Sequence, residues 1–167
     1  RPPWQESERG MKIAIGSDHA GFELKQEVRK FIADLGHEVL DVGAFEEDPS
    51  DDYPDFAESV GTVLHEKKAE RGVLICGSGV GVSVAANKMP GIRAAMCHDT
   101  YSAHQGVEHD NMNVIVLGAR IIGSALANEV VGAFLKAQFQ SNEPRFVRRL
   151  NKVNAIEARF MTNKWDT

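Results

Sequence analysis

Apolar positions along this chain keep two different periods, and the switching between them predicts the fold. Lys12–Gly16 (KIAIG) is a short apolar run ending in glycine, which predicts a strand. Phe22, Leu24, Val28, Phe31, Ile32 and Leu35 then follow a helical spacing, and Gly36 is placed to cap the C-terminus. His37–Gly43 alternates and is β-branched, a second strand, whereas Ala44–Pro54 is acidic and turn-rich, a loop. The spacing is again helical over 56–68. Gly72–Cys76 reads as a buried strand, Gly79–Lys88 as a helix opened by glycine, and Ile92–Cys97 as a strand. Thr100–Val107 predicts a helix, Val114–Leu117 a strand, Ala125–Gln138 an amphipathic helix and Arg145–Phe160 a last, basic helix.

Strands separated by helices predict βαβ units: an α/β fold with a parallel sheet covered on both faces. In such sheets ligands bind beyond the carboxyl ends of the strands. Those positions hold Ser17-Asp18-His19, Cys76-Gly77-Ser78-Gly79, His98-Asp99 and Gly118-Ala119-Arg120.

The length of 167 residues suits one domain, placed at 11–160. Residues 1–10 show no apolar period and no signal-peptide pattern, and are expected to be a disordered extension or tag; 161–167 reads as a tail. No uncharged run approaches the ~20 apolar residues of a membrane span. With 19 Lys+Arg against 24 Asp+Glu the formal charge is −5, a poor basis for sequence-independent nucleic-acid binding. The 2 cysteines make neither a disulfide framework nor a zinc motif, so a reducing cytoplasm is the simplest compartment. The 6 histidines form no metal motif either, and no metal is expected.

Cys76-Gly77-Ser78-Gly79-Val80-Gly81 carries the most chemistry. Alternating glycines let backbone N–H groups converge on an anion, a phosphate or a reaction oxyanion. The segment is neither a phosphate-binding Walker loop nor a dinucleotide fingerprint. A thiol at its mouth beside a starting helix suits a base or nucleophile; the competing reading is a small buried hydrophobe. Cys97, after Ala94-Ala95-Met96, reads as core. Asp18 either caps the next helix or serves a ligand, and His19 suits phosphate binding or proton transfer. His109 either supplies charge at a helix end or acts on a substrate. Arg145 and Arg149 share one helical face, ready to fork onto one oxyanion; the plainer reading is a solvated basic face.

GSDHAGFELK (Gly16–Lys25), DYPDFA (Asp52–Ala57), ICGSGVGVSVAANKMPGIRAA (Ile75–Ala95), EHDNMNVIVLGAR (Glu108–Arg120) and RFVRRLNKVNAIE (Arg145–Glu157) resemble the ribose 5-phosphate isomerase B family, with its galactose 6-phosphate isomerase relatives. The resemblance covers nearly all of 11–160. It implies a Rossmann-like three-layer sandwich around a five-stranded, mostly parallel sheet with a C-terminal helix. It also implies a sugar-phosphate aldose–ketose isomerase without a cofactor, active as a homodimer or dimer of dimers whose sites form between subunits.

By the same resemblance, Cys76 is the base that moves a proton between C1 and C2. Ser78 and the backbone of Gly77, Gly79, Val80 and Gly81 hold the enediolate. Asp18 lies near the sugar hydroxyls, His19 contacts substrate or phosphate, and Tyr53 lines the pocket. His109 opens the furanose ring, and Arg120, Arg145 and Arg149 bind phosphate. Two positions depart from the family pattern. Asp110 stands where an asparagine would donate to substrate, and an ionised carboxylate cannot donate. Phe146 stands where histidine is common. Both bear on which sugar is preferred. Ribose 5-phosphate is the expected substrate; a six-carbon sugar phosphate (allose or galactose 6-phosphate) and a non-catalytic sugar-phosphate sensor are the alternatives.

Overall fold

A computed structural model of the chain describes residues 10–161. The expectations for the extension at 1–10 and the tail at 161–167 therefore fall, Gly10 and Met161 apart, outside the described residues. In chain order the elements are β1 (Lys12–Ser17), α1 (Phe22–Asp34), β2 (Glu38–Asp41), α2 (Tyr53–His65), β3 (Arg71–Cys76) and α3 (Val80–Ala86). They continue as β4 (Ala94–Met96), α4 (Thr100–Asp110), β5 (Val114–Gly118), α5 (Ser124–Lys136) and α6 (Pro144–Phe160).

The strands form one sheet in the order β2-β1-β3-β5-β4, and every neighbouring pair is parallel. Alternation along each strand sorts its side chains between two cores. Ile13, Ile15, Val73, Ile75, Ile115 and Leu117 face one side, where Val28, Ile32, Val107, Val130 and Phe134 of α1, α4 and α5 cover them. Ala14, Leu74, Cys76, Val114 and Val116 face the other side, under α2 and α3. The result is the expected three-layer arrangement. Among the described residues no helix is long and apolar enough to cross a membrane.

Three local differences from the sequence reading have physical causes. Helix α2 starts at Tyr53 and takes in Pro54, because proline in a first helical turn forfeits no hydrogen bond. Strand β4 is only Ala94–Met96 at the sheet edge, where the Asn87 side chain takes the place of a neighbouring strand. Its Oδ1 accepts from Ala94 N and its Nδ2 donates to Ala94 O, both at 2.9 Å. Lys25 is fully buried. Its ammonium donates to Asp41 Oδ1 at 2.8 Å and to the Ala44 carbonyl, while Asp41 also accepts from Arg29 at 2.9 Å and from Gly43 N at 3.0 Å. Burial pushes the Asp41 carboxyl up, but the bonds from Lys25, Gly43 and Arg29 outweigh it and hold the group below its usual range. This network ties the loop after β2 to α1, and that loop enters the site.

Candidate active site

The chain turns from β1 to β2 on one side and from β3 onward to the other side, so the strand order reverses between β1 and β3. A crevice opens at such a switch point, outside the carboxyl ends of the two strands. Asp18 and His19 leave β1 there, and the loop from Cys76 to Gly81 leaves β3.

Cys76 is buried, 5% exposed, with its thiol on the α2/α3 side of the sheet. Gly79 N donates to its sulfur at 3.2 Å. That bond requires the tight loop, and Gly79 sits at φ +86°, where a side chain would be strained. Ser78 Oγ accepts from Val80 N at 3.2 Å. Two of the expected anion donors, the N–H groups of Gly79 and Val80, are thus engaged inside the loop. Helix α3 has only 7 residues, so the loop amides rather than a long helix dipole are its resource for an anion. The Tyr53 ring packs directly on Gly81: a Cβ there would meet ring carbon at 2.7 Å.

The turn after β5 closes the other wall. Ala119 N donates to Cys76 O at 2.8 Å and Arg120 N to Gly77 O at 2.9 Å. The Arg120 guanidinium therefore lies over Gly77, with Nη1 3.5 Å from where a Cβ would be. His98 supports this turn by accepting from Gly118 N through Nε2 at 2.9 Å.

Asp18 is buried and caps the short turn His19–Gly21 by accepting from Gly21 N at 3.2 Å. Its capping and ligand-facing readings are compatible, since one oxygen remains. His19 Nδ1 lies 2.6 Å from Asp51 Oδ1, on the loop after β2. The Asp51 bond raises the imidazole above its ordinary 6.5 against the opposing effect of burial; Asp18 adds to the rise and Arg120 subtracts. Cys97 behaves as a core residue: burial and nearby Asp99 push its thiol up to about 11. Asp18, His19 and Asp51 bring their ligand atoms within 4.8 Å of one another, the sole such trio among the described residues. Within this trio, Nδ1 of His19 is bonded to Asp51.

The fold thus assembles Asp18, His19, Tyr53, Cys76, Gly77, Ser78, Gly79, Val80, Gly81 and Arg120. It places the remaining candidates elsewhere. Helix α4 runs back along the sheet for about 16 Å at 1.5 Å per residue, so its C-terminal end lies at the amino ends of the strands. His109 and Asp110 are in its last turn, capped by Asn111 in a left-handed conformation. The His109 ring stacks on Phe146 of α6 with centroids 4.0 Å apart, and Nδ1 meets Gln105 Nε2 at 2.9 Å. Arg145 covers Phe146 at 4.8 Å. Asp110 borders a cleft of about 420 Å³ with Asn87, Arg93, Val153, Ile156 and Glu157. Arg145, one turn ahead of Arg149 on α6, is therefore close to His109 and far from the Cys76 of its own chain.

Sequence reasoning missed Asp51 and Lys25, and it placed His98 at a strand end without seeing that it supports the turn after β5. The signal for Lys25 was present: it falls three residues from both Phe22 and Val28, on the apolar stripe of α1. Asp51 directly precedes the DYPDFA segment, but nothing in an acidic loop marks which carboxylate turns inward.

A doubly covered parallel sheet with a thiol and a glycine-lined cradle at its switch point defines a small-anion α/β protein. The family model described as Ribose/Galactose Isomerase matches residues 13–153, and the chain belongs to that family. It is 41% identical over 148 residues to "Ribose-5-phosphate isomerase B" of Escherichia coli, covering 89% of this chain and 97% of the relative. It is 43% identical over 133 residues to "D-erythrulose-4-phosphate isomerase" of Pectobacterium atrosepticum, covering 78% and 86%. The solved structure of Mycoplasma genitalium ribose-5-phosphate isomerase B with bound ribulose-5-phosphate superposes with a TM-score of 0.82 at 38% identity, covering 88% of this chain and 96% of that one. The chain is accordingly an enzyme, a sugar-phosphate isomerase of the aldose–ketose class.

Proposed function

We propose that the protein interconverts ribose 5-phosphate and ribulose 5-phosphate through an enediolate, with Cys76 as the base. The observation that carries this reading is the Cys76 thiol, hydrogen-bonded by Gly79 N–H at the mouth of the switch-point crevice beside Asp18, His19 and Arg120. The thiolate removes the C2 proton of the open-chain aldose, and the electron pair moves into a C1–C2 double bond. The C1 oxygen takes up negative charge and then a proton. Return of a proton from sulfur to C1, with loss of the C2 hydroxyl proton, gives the ketose. Loop amides of Gly77, Gly79, Val80 and Gly81, with Ser78 Oγ, serve the developing oxyanion once their internal bonds open. Asp18 accepts from sugar hydroxyls, Tyr53 lines the wall, and His19 and Arg120 attract the phosphate.

Ring opening by His109, the contact of Asp110 and phosphate binding by Arg145 and Arg149 come in this reading from a second copy of the chain. The separation of these residues from the cradle of their own chain by the height of the sheet supports it. So does the apolar surface flanking the cradle: Val80, Val84, Met96 and Tyr101 are 53%, 57%, 43% and 66% exposed, next to the open edge of β4. A homodimer is then the smallest active unit, with a dimer of dimers as a larger assembly. The two thiols, both unpaired, suit the cytoplasm.

A second reading is favoured by one residue. Asp110 cannot donate to a sugar oxygen when ionised, which suits a differently placed hydroxyl, as in a six-carbon or a four-carbon sugar phosphate. Turnover of ribose 5-phosphate, allose 6-phosphate, galactose 6-phosphate and erythrulose 4-phosphate tests both. The proposal expects the highest kcat/KM on ribose 5-phosphate. A higher value on another sugar replaces it, and tight binding with no turnover of any would indicate a sensor.

A further inference from the structure

Asp51, on the acidic loop after β2, holds the residue that follows Asp18 at the end of β1. Its Oδ1 lies 2.6 Å from His19 Nδ1 and also accepts the His19 backbone N–H at 3.2 Å. A single carboxylate oxygen therefore fixes both the ring and the main chain of His19. The loop that delivers it is anchored by Lys25 through Asp41 and the Ala44 carbonyl. Asp51 Oδ2 is buried and has no hydrogen-bond partner among the described residues. A bare carboxylate oxygen in that position costs free energy unless a cation offsets its charge, and the cation in contact is the His19 ring.

We propose that Asp51 is a positioning residue of the phosphosugar site: it holds His19 by Nδ1, so that Nε2 is left as an N–H donor to an anionic substrate alongside Arg120. The proposal rests on reading the Cys76 crevice as that site. A carboxylate on Nδ1 keeps a proton there. In a neutral ring Nε2 would then be a bare acceptor facing a phosphate; the second proton turns it into a donor. The charged groups around His19 are Asp51 and Asp48 from the loop, Asp18 from the end of β1 and Arg120 from the turn after β5. The carboxylates favour the imidazolium and Arg120 opposes it. The raised value of His19 means that the cation is present below its ordinary 6.5 and is lost only as pH rises through the higher value. Anion binding through Nε2 weakens over that same interval.

The test uses the full chain with Asp51→Asn, which keeps shape and removes charge, and Asp51→Glu, which restores charge. NMR titration of the His19 ring follows its midpoint, and calorimetry follows inorganic phosphate. In Asp51→Asn the midpoint moves down, and phosphate at pH 7 binds roughly three- to tenfold more weakly. KM for the sugar phosphate rises by the same factor while kcat changes less than about twofold, and Asp51→Glu recovers part of each loss. An unchanged His19 midpoint, or a shifted midpoint with unchanged phosphate affinity, overturns the proposal. Titration and phosphate binding need no turnover. If no sugar phosphate is isomerised, the functional reading fails while these two readouts still decide the role of Asp51.

Discussion

At the carboxyl end of the sheet the polar groups are tied to one another. Gly79 holds the Cys76 thiol, Asp51 holds His19, the Gly77 carbonyl holds Arg120 and Lys25 holds the loop that carries Asp51. At the amino end the groups sit on two helices. His109 is stacked on Phe146, Arg145 lies over the same ring, and Asp110 borders a shallow cleft. One end is a preorganised crevice with a reactive atom and anion donors but few formal cations. The other has cations and an imidazole but no reactive centre. On the proposed reading, each chain presents two incomplete halves of one chemistry. A symmetric pair joins the halves if the amino end of one copy meets the carboxyl end of its partner.

The most severe break of the comparison is at the thiol. Cys76→Ala should lower kcat for ribose 5-phosphate by on the order of 10²–10⁴, the usual worth of a positioned acid–base group, while phosphate affinity changes only a few-fold. Near-normal turnover in that variant would remove Cys76 as the base. The amino end is probed next. His109→Asn should slow turnover of the cyclic sugar by roughly 10², near the low end of that range, and spare much more of the activity on a substrate that is already open-chain. Equal losses on both substrates, measured by stopped-flow at matched concentration, would contradict a ring-opening role. A smaller effect on chemistry is expected from Lys25→Met. It leaves Asp41 in a half-buried site with only Arg29 and Gly43 as partners, so urea unfolding should show a loss near the low end of the ~3–5 kcal/mol seen for broken buried pairs. An unchanged unfolding midpoint would show that the preorganised end does not depend on this tie.

Much of this was legible before the structure. The period switches at Lys12–Gly16, Gly72–Cys76 and Val114–Leu117 mark the buried parallel strands, Lys12 alone being exposed, and the rule that ligands gather beyond strand ends singled out Asp18, His19, Cys76 and Arg120. These residues sit within a few positions of their strands, so local pattern places them. Asp51 and Lys25 were not legible in the same way. Lys25 was hidden by its charge, which normally marks a solvated face, although its spacing lay on the buried stripe. Asp51 reaches His19 across 32 positions, and that contact depends on a loop path that no local period encodes. The start of α2 at Tyr53 was blurred by Pro54, which punctuates a loop as readily as it opens a helix. For Arg145 and Arg149 the pattern gives the helix, whereas for His109 the predicted helix stops at Val107 and α4 runs on to Asp110; neither pattern says which end of which chain these residues serve.

The shared site is tested most directly by mixing two dead halves. Arg149→Ala should raise KM by about ten- to a hundred-fold, because a charge-assisted bond to an anion is worth roughly 1.5–3 kcal/mol. Cys76→Ala should be nearly inactive at any substrate concentration. If the thiol of one copy works with the arginine of the other, a mixed dimer carries one site with both residues intact and one with neither. Random equal mixing puts half of the dimers in that class, so substrate-limited activity should recover to about one quarter of the unmutated level. Mass spectrometry of the intact assembly confirms that mixed dimers have formed. Activity no higher than the sum of the two parents in demonstrably mixed dimers, or full activity in an isolated monomer, would contradict a site completed by a second copy.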